Sequence, residues 1–377
     1  MRVKFGDVVK DVKENVDRAN NPYEFYVAGD HMDSEDFRIH RRGRFATDDV
    51  GPAFVRIFRP GQVLYGSRRT YLKKVCVADF EGVCANTTFV LETKDKDVLS
   101  QKLLPFLMLS EGFTDWSVKH SKGSTNPYVL FSDLADYEFD LPPLDRQREL
   151  AELLWAANDL KEKYKKLITA SDEMLKAKFR EMFGEGTSEC DKVTLGDVCS
   201  SIVRGPFGSA LKVSFFVGKG ENTVKVYEQK NAINESATIG DYYITQDRYK
   251  ALKRFTCVPG DILMSCAGTV GRLFQLPDTA EVGIINQAMC KFSLNGKMLP
   301  TAFLCYMRNM VDSLDQKGSA MKNIGAVSIL KNMPMFLPPL DLQRQFVEIA
   351  AQEEKVKANL KKSIADVDNI IKGLINQ

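Results

Sequence analysis

One decapeptide occurs twice in this chain, and that repeat limits the folds open to it more than any other feature does. Leu141 to Leu150 reads LPPLDRQREL and Leu337 to Phe346 reads LPPLDLQRQF, 196 residues apart in a chain of 377. Weaker echoes keep the same order at nearly the same offset. Phe5-Gly6-Asp7-Val8 returns as Leu195-Gly196-Asp197-Val198, Pro60-Gly61-Gln62-Val63-Leu64 as Pro259-Gly260-Asp261-Ile262-Leu263, and Lys122-Gly123-Ser124 as Lys317-Gly318-Ser319. Ordered matches of this kind mark a tandem duplication, and a period of half the chain is too long for a solenoid.

Each copy opens on a mixed segment and closes on a charged, periodic one. The predicted organisation is a globular domain over 1–142, a helical segment over 143–186, a second globular domain over 187–338 and a last helical segment over 339–377. Pro142-Pro143 discourage helix before them, and Asp145 favours the positive end of a helix that follows. From there Leu153, Ala157, Leu160, Tyr164, Leu167, Ser171 and Met174 recur four and three apart, the spacing of a coiled-coil seam. The second copy repeats the frame at Ile349, Glu353, Val356, Leu360, Ser363, Val367 and Ile370. Gly184 and Gly186 end the first helix, so Asp145 to Phe183 spans roughly 55–60 Å at 1.5 Å per residue. A helix of that length exceeds what one globular domain supports, so the two segments are expected to pair as an antiparallel coiled coil with a pseudo-twofold relation between the copies. The alternative is that each helix lies on its own domain.

The globular segments read as mixed α/β (α+β). Arg56–Phe58, Gln62–Tyr65, Lys74–Ala78 and Thr88–Glu92 are β-branched or aromatic stretches punctuated by turns such as Pro60-Gly61, while Lys102–Ser110 and Thr301–Met310 read as helices.

At 44% hydrophobic and 27% charged residues, the composition is that of an ordinary folded protein rather than a disordered one. The longest apolar runs, such as Leu103 to Leu109, fall far short of a membrane span. MRVKFGDVVKDVKENVD lacks the apolar stretch of a secretory signal, so a cytoplasmic location is expected. The eight cysteines contain no C-x-x-C pair and lie far in sequence from the three histidines. Reduced, mostly buried thiols and no metal site are therefore expected. There is no G-x-x-x-x-G-K-[ST], G-x-S-x-G or H-E-x-x-H. Asn126-Pro127-Tyr128 superficially resembles the Asn-Pro-Pro-aromatic motif of adenine methyltransferases, but it lacks the second proline and an upstream glycine-rich loop. No catalytic residue is assigned.

What remains is a set of groups suited to nucleic acid. Between Arg38 and Lys74 stand ten basic residues against two acidic ones, a candidate phosphate-binding surface. Arg68, Arg69, Tyr71 and Lys73 lie in the tract GSRRTYLKK, where arginine suits either guanine or phosphate. Arg41, Arg42 and Arg44, beside His40 in RIHRRGR, suit phosphate. In the second copy Arg204, Phe207 and Lys212 belong to the tract RGPFGSALK. Gln229 and Asn231 offer amides that could pair with adenine, as do Asn286-Gln287, and Arg248 and Lys250 offer charge.

Taken together, the two LPPL-D-x-Q-R openings, the RGPFGSALK tract, the PGDIL tract from Pro259 and the Lys-Gly-Ser turns resemble the specificity subunits of Type I restriction-modification systems, over essentially the whole chain. The resemblance implies two target recognition domains, each reading half of a split site in double-stranded DNA. It also implies helices that set the spacing and dock two modification (methyltransferase) subunits, with Leu153, Leu160, Leu167, Met174, Ile349, Val356, Leu360 and Ile370 as the helix positions concerned. AdoMet, and the ATP and Mg²⁺ of a further restriction subunit, would belong to those partners and not to this chain. Base-reading positions do not carry over, because recognition domains diverge within the family. RGPFGSALK has no counterpart near the N-terminus, so the two half-sites are expected to differ. The readings that compete are a free-standing DNA-modifying enzyme and a coiled-coil adaptor.

Overall fold

The computed structural model describes residues 1–184, 190–316 and 326–376. Two compact units divide the chain, one formed by Met1–Lys166 with Leu360–Gln377 and the other by Leu167–Asn359.

In the first unit, β1 (Arg2–Lys4) pairs with the late strand β10 (Glu138–Asp140), closing the globular part on itself. An antiparallel sheet runs in the order β2 (Val9–Asp11), β9 (Thr88–Thr93), β6 (Val63–Gly66), β7 (Val75–Val77). Another runs β4 (Gly43–Arg44), β3 (Phe25–Val27), β8 (Gly82–Ala85), β5 (Phe54–Phe58), with β3 and β8 parallel.

The second unit repeats this topology strand for strand. β11 (Asp191–Thr194) pairs with β20 (Pro334–Leu337). Its antiparallel sheet is β12 (Cys199–Arg204), β19 (Met289–Leu294), β16 (Ile262–Ser265), β17 (Leu273–Gln275). Its mixed sheet is β14 (Tyr243–Thr245), β13 (Thr223–Tyr227), β18 (Gly283–Ile285), β15 (Thr256–Cys257), with β13 and β18 parallel. The turn glycines agree as well: Gly61 and Gly260 hold φ of 86° and 90°, a region open to glycine and strained for other residues. Gly318 of the last Lys-Gly-Ser repeat, like Gly186, lies outside the described residues.

The repeated decapeptide begins two long helices, Leu144–Phe183 and Leu340–Ile375. Its glutamine explains why it recurs. Gln147 accepts from Ser100 N (2.9 Å) and donates to Val98 O and Pro142 O (both 2.9 Å). Gln343 makes the same contacts, accepting from Leu299 N (2.7 Å) and donating to Lys297 O (3.0 Å) and Pro338 O (2.8 Å). Both amides are buried, so each satisfies backbone groups that would otherwise be stranded where the helix leaves the sheets.

Within each unit a part of one long helix packs on a part of the other. In the first, Ala151 and Leu154 meet Val367 and Ile371 in a core shared with Phe5, Phe106 and Phe113. In the second, Phe179 and Phe183 pack edge to face against Phe346 with ring centroids 5.3 Å apart. Partner positions rise along one helix as they fall along the other, from Asp172–Lys357 to Phe179–Phe346, so the strands of the pair run antiparallel.

The seam differs from the expected frame at every second position of the first helix and, in the second, at Val356 and Ile370, while Ile349 and Ser363 stay half-buried. Ala157, Tyr164, Ser171 and Glu353, Leu360, Val367 are buried or half-buried, but Leu153, Leu160, Leu167, Met174, Val356 and Ile370 are exposed. Their places are taken by the next residue along: Leu154, Lys161, Ile168 and Leu175, with Lys357 and Ile371 in the second copy. The cause is a cation in the seam of each copy, buried at Lys161 and half-buried at Lys357. Lys161 pairs with Asp368 at 2.8 Å and Lys357 with Asp172 at 2.9 Å, equivalent pairs at the repeat offset. A hydropathy pattern assigns lysine to solvent and so slides the frame by one.

The expected helix over Lys102–Ser110 is a single turn at Leu104–Leu107. The longer helix starts later, at Glu111–Lys119, because the Ser110 hydroxyl accepts from Phe113 N and caps it there.

Candidate nucleic-acid interface

In the first unit the loop between β6 and β7 carries GSRRTYLKK. Arg69 and Lys73 both adopt left-handed backbone (φ 50°) around a short turn at Thr70–Leu72. Such conformations cost non-glycine residues roughly 1 kcal/mol or more, so surrounding bonds must impose them. Those bonds come from the tract HSKGSTNPY. Arg69 N donates to Pro127 O at 2.6 Å, Val129 N donates to Ser67 O at 3.0 Å, and the Thr70 and Ser121 hydroxyls bond at 3.1 Å. Tyr128 bridges both Arg68 and Lys122. Asn126-Pro127-Tyr128 therefore serves as a brace for the arginine loop.

The result is an exposed patch of Arg68, Arg69 and Tyr71 (55% exposed) next to Lys122 and Tyr128. The side chains of Arg68 and Arg69 have no partner among the described residues. Tyr128 was not among the sequence candidates; its place between two basic tracts becomes visible only once the loops meet.

Most of the basic window behaves differently. Arg38 pairs with Asp159 (2.7 Å), Arg44 with Glu24 (3.1 Å), Arg56 with Asp11 (2.7 Å), Arg59 with Glu14 (2.6 Å) and Lys73 with Glu35 (3.2 Å). Arg41 pairs with Asp33, and Arg42 lies over the Phe25 ring at 3.8 Å. The acids come from outside the window, so folding neutralises an excess that the sequence displays. Arg41, Arg44 and Lys73 are thus ion-paired, leaving Arg68 and Arg69 as the cations whose heads are unoccupied.

In the second unit the tract RGPFGSALK follows β12. Gly205 is obligatory, since a Cβ there would lie 1.8 Å from Asn286 O. Phe207 is 69% exposed and Lys212 is exposed without a partner among the described residues. Arg204 donates to Cys266 O at 3.5 Å, while its Nε and Nη1 are buried without a hydrogen-bond partner. The loop between β16 and β17, equivalent to the arginine loop, reads Cys266-Ala267-Gly268-Thr269-Val270-Gly271 and ends on exposed Arg272. Sequence candidates omitted Arg272, although aligning the two Pro-Gly tracts at their offset would have brought it beside Lys73.

Three further candidates are engaged internally. Asn231 is 0% exposed; it accepts from Glu228 N at 2.8 Å and donates to Ser236 O and Ile239 O, leaving no amide group for a base. Arg248 donates to Ala210 O and stacks 4.1 Å over Phe215, which makes it a strut for the RGPFGSALK tract. Gln229 donates to Ala267 O in the β16–β17 loop. Lys250 is exposed and paired with Asp247 at 2.8 Å within one helical turn.

Asp36, His40 and Glu162 bring ligand atoms within 4.8 Å of one another in the first unit. Lys165 already supplies a cation there, its Nζ 2.9 Å from Asp36 and 2.8 Å from Glu162. The arrangement is an internal charge network joining a globular loop to the helix. Although burial opposes it, bonds from Arg38 N and Lys165 hold the Asp36 carboxyl below its ordinary range.

Comparison with known proteins bears on this geometry. Residues 35–170 match the protein family described as Type I restriction modification DNA specificity domain. The Type I restriction enzyme EcoDI specificity subunit of Escherichia coli is 28% identical over 160 residues, 42% of this chain and 34% of that protein. The Type I restriction enzyme MjaVIII specificity subunit of Methanocaldococcus jannaschii is 22% identical over 289 residues, 71% of this chain. The chain thus spans a third of the first relative's length and 66% of the second's. A chain solved in work on complex assembly and conformational transition of the type I R-M system shares the fold, with a TM-score of 0.59 at 19% identity over 100% of this chain and 96% of that one.

Proposed function

Since the chain carries a Type I restriction modification DNA specificity domain over residues 35–170, we propose that it is the specificity subunit of a Type I restriction-modification complex. Each unit reads one half of an asymmetric bipartite target in double-stranded DNA. The observation that carries this reading is the loop of Arg68, Arg69 and Tyr71, two unpaired guanidiniums and an exposed ring held outward on strained backbone within a fold that occurs twice.

The chain performs no covalent chemistry. Adenine methylation would fall to two modification subunits that bring AdoMet, and translocation and cleavage to restriction subunits that use ATP and Mg²⁺. Exposed apolar side chains on the long helices suit the docking of modification subunits: Leu153, Leu160 and Ile370 in the first unit, Leu167, Met174 and Val356 in the second. No described helix is long and apolar enough to cross a membrane, and a cytoplasmic location fits a chain that works on DNA. Phosphate contacts would set each unit's register and a few base contacts its specificity.

The test is binding of the purified chain to random-sequence duplex DNA as salt is varied. The reading expects an affinity that falls steeply with log salt, with a slope reduced by about one for each phosphate-contacting cation removed. A salt-independent affinity, or turnover of DNA by the chain alone with AdoMet or Mg²⁺, would contradict it.

A further inference from the structure

The second unit contains a thiol pair that DNA reading does not use. Cys290 lies in β19, flanked by Arg204 of β12 on one side and Met264 of β16 on the other. Cys266 follows β16 by one residue, its N–H donating to Ala288 O at 2.7 Å, so the two thiols are diagonal neighbours across the ladder. The Cys266 thiol donates to Met264 O at 3.5 Å and the Cys290 thiol to Lys291 O at 3.9 Å. Cys290 is buried, whereas Cys266 is half-buried at the mouth of the β16–β17 loop. Over the pair lies Arg204, with two guanidinium N–H groups that meet no oxygen acceptor.

We propose that Cys266 is a reactive, modifiable thiol and that Cys290 is its resolving partner. A cation with unspent donors beside a half-exposed sulfur is the setting that favours thiolate. The neighbouring Cys290 thiol, opposed by burial and then helped by the Arg204 charge, holds the Cys266 thiol below its ordinary range, while the same contact and burial push Cys290 up. The remaining buried thiols go the other way: burial pushes Cys76, Cys84 and Cys199 up to about 12 and Cys305 to about 11.

The co-reactant is a peroxide. Cys266 thiolate attacks one peroxide oxygen, the O–O bond breaks, and the products are a sulfenic acid and hydroxide. The Cys290 sulfur then attacks the sulfenic sulfur, its proton leaving with the departing hydroxyl as water, and an S–S bond forms. Both sulfurs are oxidised and one peroxide is reduced. The link would tie the β16–β17 loop to β19 beside the RGPFGSALK tract.

The first unit supplies an internal control. Ser67 and Phe89 occupy the places of Cys266 and Cys290, and β2 ends at Asp11, short of the position Arg204 holds. Thiol sensitivity is thus confined to one half of the duplicated chain.

The test is competitive alkylation of the full chain by iodoacetamide at neutral pH, with each cysteine followed by peptide mass spectrometry. Cys266 should react first, ahead of Cys190, the other thiol that is not fully buried. R204M should remove that advantage while R204K retains it. Stoichiometric hydrogen peroxide should yield the Cys266–Cys290 disulfide, and C290A should instead leave a sulfenic acid at Cys266 that dimedone captures. Alkylation of Cys190 before Cys266, or peroxide treatment of the unaltered chain without a Cys266–Cys290 link, overturns the proposal; neither result depends on a variant that folds.

Discussion

The two units share a strand order and differ in what they place on it. In the first, the β6–β7 loop carries Arg68 and Arg69; in the second, the equivalent loop carries Ala267 and Gly268, and the exposed charge has moved to Arg272 and Lys212. The sheets beneath diverge as well. Gln62 donates to Glu92 at 2.8 Å in the first unit, whereas its counterpart Asp261 forms a buried ion pair at 3.0 Å with Lys291, whose place in the first unit is held by Val90. What stays the same is the framework: Gln147 and Gln343 where the helices leave the sheets, the Lys161–Asp368 and Lys357–Asp172 pairs between the long helices, and the left-handed turn glycines Gly61 and Gly260. A duplicated scaffold that holds its joints and varies its loops is suited to presenting two different readers.

That contrast can be broken at several points. The largest expected effect is in the second unit's sheet. Asp261→Asn leaves the Lys291 ammonium buried without its counter-charge, a change that costs about 3–5 kcal/mol in comparable sites. Glu92→Gln in the first unit weakens a partly exposed hydrogen bond and should cost about 1 kcal/mol. Denaturant unfolding of the two variants measures the difference, and equal losses would mean that the two sheets are stabilised alike.

Next come the long helices. Leu154→Ala should cost about 2–5 kcal/mol by opening a cavity, and the adjacent Leu153→Ala less than about 0.5 kcal/mol, because Leu153 faces out. The reverse order would restore the frame that hydropathy alone suggests. Gln147→Ala and Gln343→Ala should each cost about 1–3 kcal/mol by stranding backbone groups. Matching losses at both sites sharpen the claim that the joints are equivalent, and a loss at one site alone breaks it.

How much of this was legible in the sequence follows from the kind of interaction involved. The duplication, the long helices and the strands around Pro60-Gly61 and Pro259-Gly260 could be read directly, because local turn chemistry and apolar period determine them. Other features were hidden because they depend on residues distant in the chain. Lys161 is buried by Asp368, the basic window is neutralised by Asp11, Glu14, Glu24, Asp33, Glu35 and Asp159, and Asn231 is consumed by carbonyls a few residues on. Arg68 and Arg69 were among the candidates, but nothing local distinguished them from Arg41 or Arg44. Only the positions of the acids did that.

The most direct test is enrichment of bound duplexes from a random library by the full chain and by two variants, R68A/R69A and K212A/R272A. The account predicts a bipartite motif for the unaltered chain, with each variant losing sequence preference in one half and keeping it in the other. A single uninterrupted motif, or both halves lost together in either variant, would contradict it.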